Sequence, residues 1–175
     1  MRNMQSPLPI RQPRTCHYQM VKEEDQNNRH RYWIIVASKD HVMLGVKEGI
    51  AQANHGNVTP LRRMKKDDII IYYSPKTIYG QNEKCQRFTA IGKIRDIDIF
   101  QVKLNETFSP FRRRVEYYHQ CKEIPIEDLI PALSFIKNKK SWGYIFRFGL
   151  IQIPYNDFLT ISDEMCPDKV HAFVM

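Results

Sequence analysis

Ser38, Asn54, His55 and Ser74 stand close to Trp33, Tyr72, Tyr73, Phe88, Phe111 and Trp142, placing polar donors and acceptors beside flat aromatic rings near the ends of apolar runs. A pocket for a heterocyclic base needs that combination: a stacking face and a few fixed hydrogen-bonding groups. Each member also has a plainer role. An aromatic in a strand is more often core than cage, and histidines beside a helix end, such as His41 and His55, commonly cap it or face water. Signatures of catalysis are missing: there is no Gly-x-x-x-x-Gly-Lys, Gly-x-Gly-x-x-Gly, Gly-x-Ser-x-Gly or His-Glu-x-x-His. Carboxylates are fewer than basic residues and tend to sit beside them, which does not suggest a general acid/base pair, so the chain reads as non-catalytic and without a cofactor. Cys16, Cys85, Cys121 and Cys166 are scattered with no Cys-x-x-Cys. That spacing argues against a zinc site and against a disulfide framework, and implies four free thiols in the cytoplasm.

A net charge of +8 and a pI near 9.4 favour a polyanionic partner, nucleic acid first, although charge can equally serve solubility. No apolar run reaches the roughly 18 residues that a membrane span needs. The length suits one domain with one real core.

The elements that would position these residues follow from periodicity. Tyr32 to Ala37 is an apolar, β-rich run, read as a strand covered on both faces. Ser38 or Asp40 is placed to cap a helix whose stripe is Val42, Val46, Ile50 and Ala53, with Gly56 as its left-handed stop. Arg62, Arg63, Lys65 and Lys66 form a basic loop, either solvated surface or a phosphate-facing patch. Ile69 to Ser74 is a second buried strand, ended by Pro75. Phe88 to Val102 reads as one long strand or a bent pair, with Phe88, Ala90, Gly92 and Ile94 on one face and a bend at Arg95 to Asp98. Phe111 to Tyr118 is a strand with Arg112 and Arg114 on one face and Arg113, Val115 and Tyr117 on the other. Ile126 to Ile130 is a helical turn between prolines, and Leu133 to Lys140 a loop exposing Lys137, Lys139 and Lys140. Gly143 to Phe148 and Leu150 to Ile153 suggest a hairpin across Gly149, and a last helix runs from Asn156 or Asp157 to Ile161. Residues 1–30, rich in proline and charge, read as a flexible leader, 31–162 as the domain, and 163–175 as a tail without period. The fold class is α+β, a partly closed antiparallel barrel with peripheral helices.

Blocks in this order carry a family likeness: Tyr32-Trp-Ile-Ile-Val-Ala-Ser-Lys-Asp-His-Val42, Ala51-Gln-Ala-Asn-His-Gly56, Pro60-Leu-Arg-Arg-Met64, Ile71-Tyr-Tyr-Ser-Pro75, Phe88-Thr-Ala-Ile-Gly92, Pro110-Phe-Arg-Arg-Arg-Val115, Leu133-Ser-Phe-Ile136 and Trp142-Gly143. Over about residues 31–162 the chain resembles the bacterial EVE-domain family. That resemblance implies a PUA-like fold akin to YTH domains, and a pocket for a modified nucleobase of DNA or RNA. It implies Ser38 and Lys39 at the pocket entry, Tyr73 and Ser74 on its floor, and Trp142 as a wall. Asn54 and His55 fall where YTH domains place a cage tryptophan, a departure from a YTH-type methyl cage. Arg112, Arg113 and Arg114, with Arg62 and Arg63, would meet phosphates. The rival expectations are an ASCH-like hydrolase of RNA or modified nucleosides, drawing on Lys39, His41 and Tyr73, and a protein-interaction module. Oligomeric state has no signature here.

Overall fold

The computed structural model describes residues 30–167. The expected leader, apart from His30, and the end of the expected tail lie outside the described residues.

Two hydrophobic strands form the spine. β1 (Tyr32–Val36) and β3 (Ile69–Lys76) pair in parallel, Ile34 opposite Ile71. Their unbroken apolar character reflects cover on both faces, since successive side chains of a strand point to opposite sides. Tyr32, Ile34, Ile69, Ile71 and Tyr73 enter one core, while Trp33, Ile35, Ile70 and Tyr72 enter another. β8 (Leu150–Ile153) flanks β1 antiparallel, and β4 (Lys84–Ile94) flanks β3 antiparallel. Beyond β4 come β6 (Phe111–Tyr117) and β2 (Ile50–Ala51), giving the order β2-β6-β4-β3-β1-β8. The two-residue strands β5 (Phe100–Gln101) and β7 (Ile124–Pro125) attach to β6 and β4. The result is an α+β fold whose sheet curls into a half-barrel.

Each core has its own helical cover. α3 (Tyr155–Met165) brings Phe158, Ile161 and Met165 onto the first; α1 (Lys39–Glu48) brings Val42, and α2 (Val58–Arg63) brings Leu61, onto the second. Three buried polar groups tie these layers together. Asp68 accepts from the Arg31 amide and guanidinium, the Trp33 indole at 2.8 Å and the Lys65 amide at 2.8 Å. Arg113 donates to the carbonyls of Leu61, Met64, Asp96 and Ile97, pinning α2 and the β4–β5 bend to β6. Asp157 accepts from both the amide and the hydroxyl of Ser134 and from the Phe135 amide.

The structure corrects several expectations. α1 stops at Gly49, not Gly56: Gly49 takes φ 66° and its amide bonds back to Gly45 and Val46 carbonyls. Ile50 therefore leaves the helical stripe and pairs with Arg114 in β2. Pro75 does not end β3, which continues to Lys76 across an irregularity in register where no ladder donor is needed. A bulge leaves Thr89 unpaired between Ala90 and Phe88, so Phe88 turns into the first core while Ala90 and Ile94 stay in the second. Residues Trp142–Phe148 form a 3₁₀ turn rather than a hairpin arm, with Gly149 redirecting the chain into β8. The last helix runs on to Met165, and Ser162 inside it is buried.

Cys121 and Cys166 form a disulfide, which overturns the reading of four free thiols; Cys85 is a free thiol. The premise behind a cytoplasmic setting falls with it. Among the described residues no helix is long and apolar enough to cross a membrane. The bond closes a loop with a sequence separation of 45 and holds the end of α3 against the strand region before β7. Loop-closure entropy sets its contribution at up to about 4 kcal/mol. Cys166→Ser is expected to lower the urea midpoint correspondingly, and addition of a reductant to the native protein should reproduce that shift without adding to it in the variant.

Candidate functional site

The exit of β1 is held tightly. The Val36 amide donates to Gly149, the Ala37 amide to Tyr73 and the Asp40 amide to Thr77. Between them Ser38 is only 8% exposed, and its hydroxyl has no hydrogen-bond partner among the described residues. It occupies the capping position of α1 but makes no side-chain cap. Asp40 lies near enough to feel it: burial pushes the carboxyl up, but the Ser38 hydroxyl and the amides of Tyr79 and His41 outweigh that and hold it below its usual range. That contact lies outside hydrogen-bonding geometry, so the Ser38 hydroxyl acts on Asp40 only as a nearby dipole and has no hydrogen bond of its own.

Ser38 opens into a cleft of about 860 Å³ between α1, the β2–α2 segment and the β3–β4 loop. Tyr72, Ala53 and Gln52 line its depth. Tyr72 Oη donates to the Gln52 carbonyl and accepts from its amide, both at 3.3 Å. Burial pushes the Tyr72 phenol up to about 12, so it is neutral, with its one proton committed to the Gln52 carbonyl. Arg112 lies at one side, its guanidinium 3.2 Å from Glu48 and 3.4 Å from Gln52 Oε1. At the mouth Tyr79, more than half exposed, stacks on His41 with ring centres 5.2 Å apart and meets the edge of His55 at 5.8 Å. Exposed Leu44, Leu104 and Phe108 complete an apolar rim.

Asn54 and His55 are strained. Both take left-handed backbone angles, φ 43° and φ 56°, which non-glycine residues adopt only when their surroundings impose it. Gly149, with φ 74°, leaves room for the Asn54 side chain: a Cβ there would collide with the Asn54 carboxamide.

Of the residues singled out from sequence, Ser38, His41, Asn54, His55 and Tyr72 reach this cleft, and Arg112 joins them from the phosphate set. The others lie elsewhere. Tyr73 is 2% exposed in the first core, its ring 4.0 Å from that of Phe146. Ser74 is fully buried and hydrogen-bonds Thr89 at 2.8 Å. Lys39 pairs with Glu123 at 2.8 Å. Trp142 packs edge-on to Tyr73 and Phe146 and borders a separate shallow depression. Arg113 is buried with its guanidinium donating to carbonyls, whereas Arg114, Arg62 and Arg63 are exposed. Arg63 stacks over Trp33, and Arg114 lies over Phe100. The trio considered for hydrolysis is dispersed, with His41 at the rim, Lys39 in its ion pair and Tyr73 in the core. Tyr79, Gln52, Leu104, Phe108 and Arg147 were missed. Only the Tyr-Gly pair in the polar loop hinted at Tyr79; its place comes from the Asp40 carboxylate, which accepts from the Tyr79 amide.

Residues 31–164 match the EVE domain family. The chain is 49% identical over 128 residues to the UPF0310 protein in gntR 5'region of Bacillus licheniformis, covering 73% of this chain and 86% of that one. It is 45% identical over 143 residues to UPF0310 protein msl3206 of Mesorhizobium japonicum, covering 81% and 95%. Its fold is similar to the NMR structure of Rpa0253 from Rhodopseudomonas palustris, with a TM-score of 0.50 at 12% identity over 81% of this chain and 97% of that chain.

Two outcomes are expected at the site. Gly149→Ala should cost about 1–2 kcal/mol for its backbone angle and expel Asn54 from its seat, visible as a lower urea midpoint together with shifted Asn54 side-chain amide resonances. The second concerns pH. Burial raises the folded Tyr72 phenol to about 12, and Tyr117 is also raised, by burial and by the neighbouring Tyr72. An unfolded tyrosine ionises near 10, so the unfolded state releases its proton first. Stability should therefore be flat below about pH 10 and fall between roughly pH 10 and 12, as read by urea titrations at pH 9 and 11. An unchanged midpoint at pH 11 would show these phenols reach water.

Proposed function

The chain belongs to the EVE-domain family, and on that premise we propose that it is a non-catalytic PUA-like module holding a modified nucleobase in this cleft. The observation that carries the proposal is the unpaired Ser38 hydroxyl. A buried polar group without a partner costs about 1–3 kcal/mol, which a ligand atom can relieve. A nucleobase supplies such an atom on its edge and an apolar face for the walls. The cleft volume lies within the roughly 300–1,000 Å³ typical of small-molecule sites. Tyr79, steadied by His41, offers the stacking surface, and the Gln52 and Asn54 amides lining the cleft offer donors and acceptors. Arg112 is largely neutralised by Glu48, which suits a neutral base better than a phosphate. Phosphates would instead meet exposed Arg114, Arg62 and Arg63, in keeping with the net charge of +8. A modification such as a methyl group needs only apolar contact and exclusion of water, which Leu44, Leu104 and Phe108 supply.

The test is fluorescence-anisotropy titration of single- and double-stranded DNA and RNA at two salt concentrations. Each strand is offered unmodified, with 5-methylcytosine or its oxidised forms, and with N6-methyladenine. A preference of about tenfold, equivalent to about 1.4 kcal/mol, that survives the higher salt is expected for one modification. Ser38→Ala should remove most of it, and Tyr79→Ala should weaken binding of every base by about 1–3 kcal/mol. Binding that is uniform across bases and collapses with salt would overturn the proposal, because charge alone would explain it.

A further inference from the structure

The 3₁₀ turn Trp142–Phe148 is organised by its three-residue period, which sends Phe146 inward while Tyr144 and Phe148 point out. Tyr144 is 61% exposed and Phe148 57%, and the two rings meet at a right angle with centres 5.8 Å apart. The Arg147 guanidinium sits over the Tyr144 ring at 5.8 Å. Arg147 also lines the cleft, and together with Lys140, Ser141, Trp142 and Tyr144 it borders the neighbouring shallow depression. The two surfaces are therefore continuous through one cation.

Charge identifies the occupant. Residues 129–156 contain Lys137, Lys139, Lys140 and Arg147 and no aspartate or glutamate. Lys139 is engaged with the carbonyls of Ile130 and Leu133, so Lys140 and Arg147, which border the same depression as Tyr144, set the outward charge beside the aromatic pair. Exposed rings carried on a stretch that holds cations and no carboxylate match a chain of stacked bases joined by phosphates. An apolar protein surface would leave those lysines desolvated and unpaired.

We propose that the ligand of the cleft is a single-stranded nucleic acid and not a free nucleoside: the nucleotide next to the held base stacks on Tyr144 and Phe148, and Arg147 meets the phosphate between them. This rests on the cleft being a base site, so the test separates the two. Tyr144→Ala/Phe148→Ala is built on two exposed side chains and checked by circular dichroism and thermal midpoint. Anisotropy is measured with a labelled single-stranded 9-mer carrying the preferred modified base at its centre, as DNA and as RNA. The matching nucleoside monophosphate is run as an unlabelled competitor. The double variant should bind the 9-mer at least about fivefold more weakly while the monophosphate inhibition constant moves less than about twofold. An unchanged 9-mer affinity, or equal loss for 9-mer and monophosphate, overturns the platform; if Ser38→Ala still weakens both ligands, the base site stands without it. If the wild type binds neither ligand, both proposals fall. The DNA and RNA arms identify which backbone the platform accepts.

Discussion

Everything in this domain hangs from the confinement of β1. The strand is hydrogen-bonded along both edges, to β3 and β8, and covered on both faces by separate cores. A slip of one residue would exchange the two faces and drive Trp33 and Ile35 into the space shaped for Tyr32 and Ile34. Asp68 fixes one end of the strand by gathering Arg31, Trp33 and the Lys65 turn. The Gly149 and Tyr73 carbonyls fix the other. Ser38 follows at once, which is why a hydroxyl can be kept buried and unpaired: the backbone around it has no freedom to swing the group toward water.

That confinement also explains what could be read from sequence. Strands covered on both faces leave continuous apolar runs, so Tyr32 to Ala37 and Ile69 to Ser74 were legible. Which face a given residue takes was not. Tyr72 and Tyr73 are adjacent and chemically alike, but parity sends one to the cleft and the other to the opposite core. The same parity separates exposed Arg114 from buried Arg113, and the alternation foreseen there carried no label for inside. Thr89 shows a further limit, since a single bulged residue resets the parity of a strand without altering its composition.

Ser38, Asn54 and His55 were found because they stand at the ends of elements, where polar groups have a reason to be. Tyr79 was hidden because its partners, His41 and His55, are brought to it only by the closed fold. Gly143 to Phe148 was read as a hairpin arm because the run alternates like a strand, whereas its hydrogen bonds close a 3₁₀ turn. Cys121 and Cys166 escaped for a related reason: a pair 45 residues apart has no local spacing to betray it. Basic residues divide in the same way, Arg113 serving the interior and Arg114, Lys137 and Lys140 the surface potential.

The pairing of β1 with β8 joins Tyr32 to Ile153. On a ribosome β1 would emerge early and wait for its neighbour β8, made more than a hundred residues later. Until then β3 can cover one edge only, and the open edge of the most hydrophobic strand is a template for another chain. Closing so distant a contact is slow by topology alone. The nascent chain is therefore most exposed to misassembly while the segment from β4 to β7 is being translated, and β8 ends that exposure.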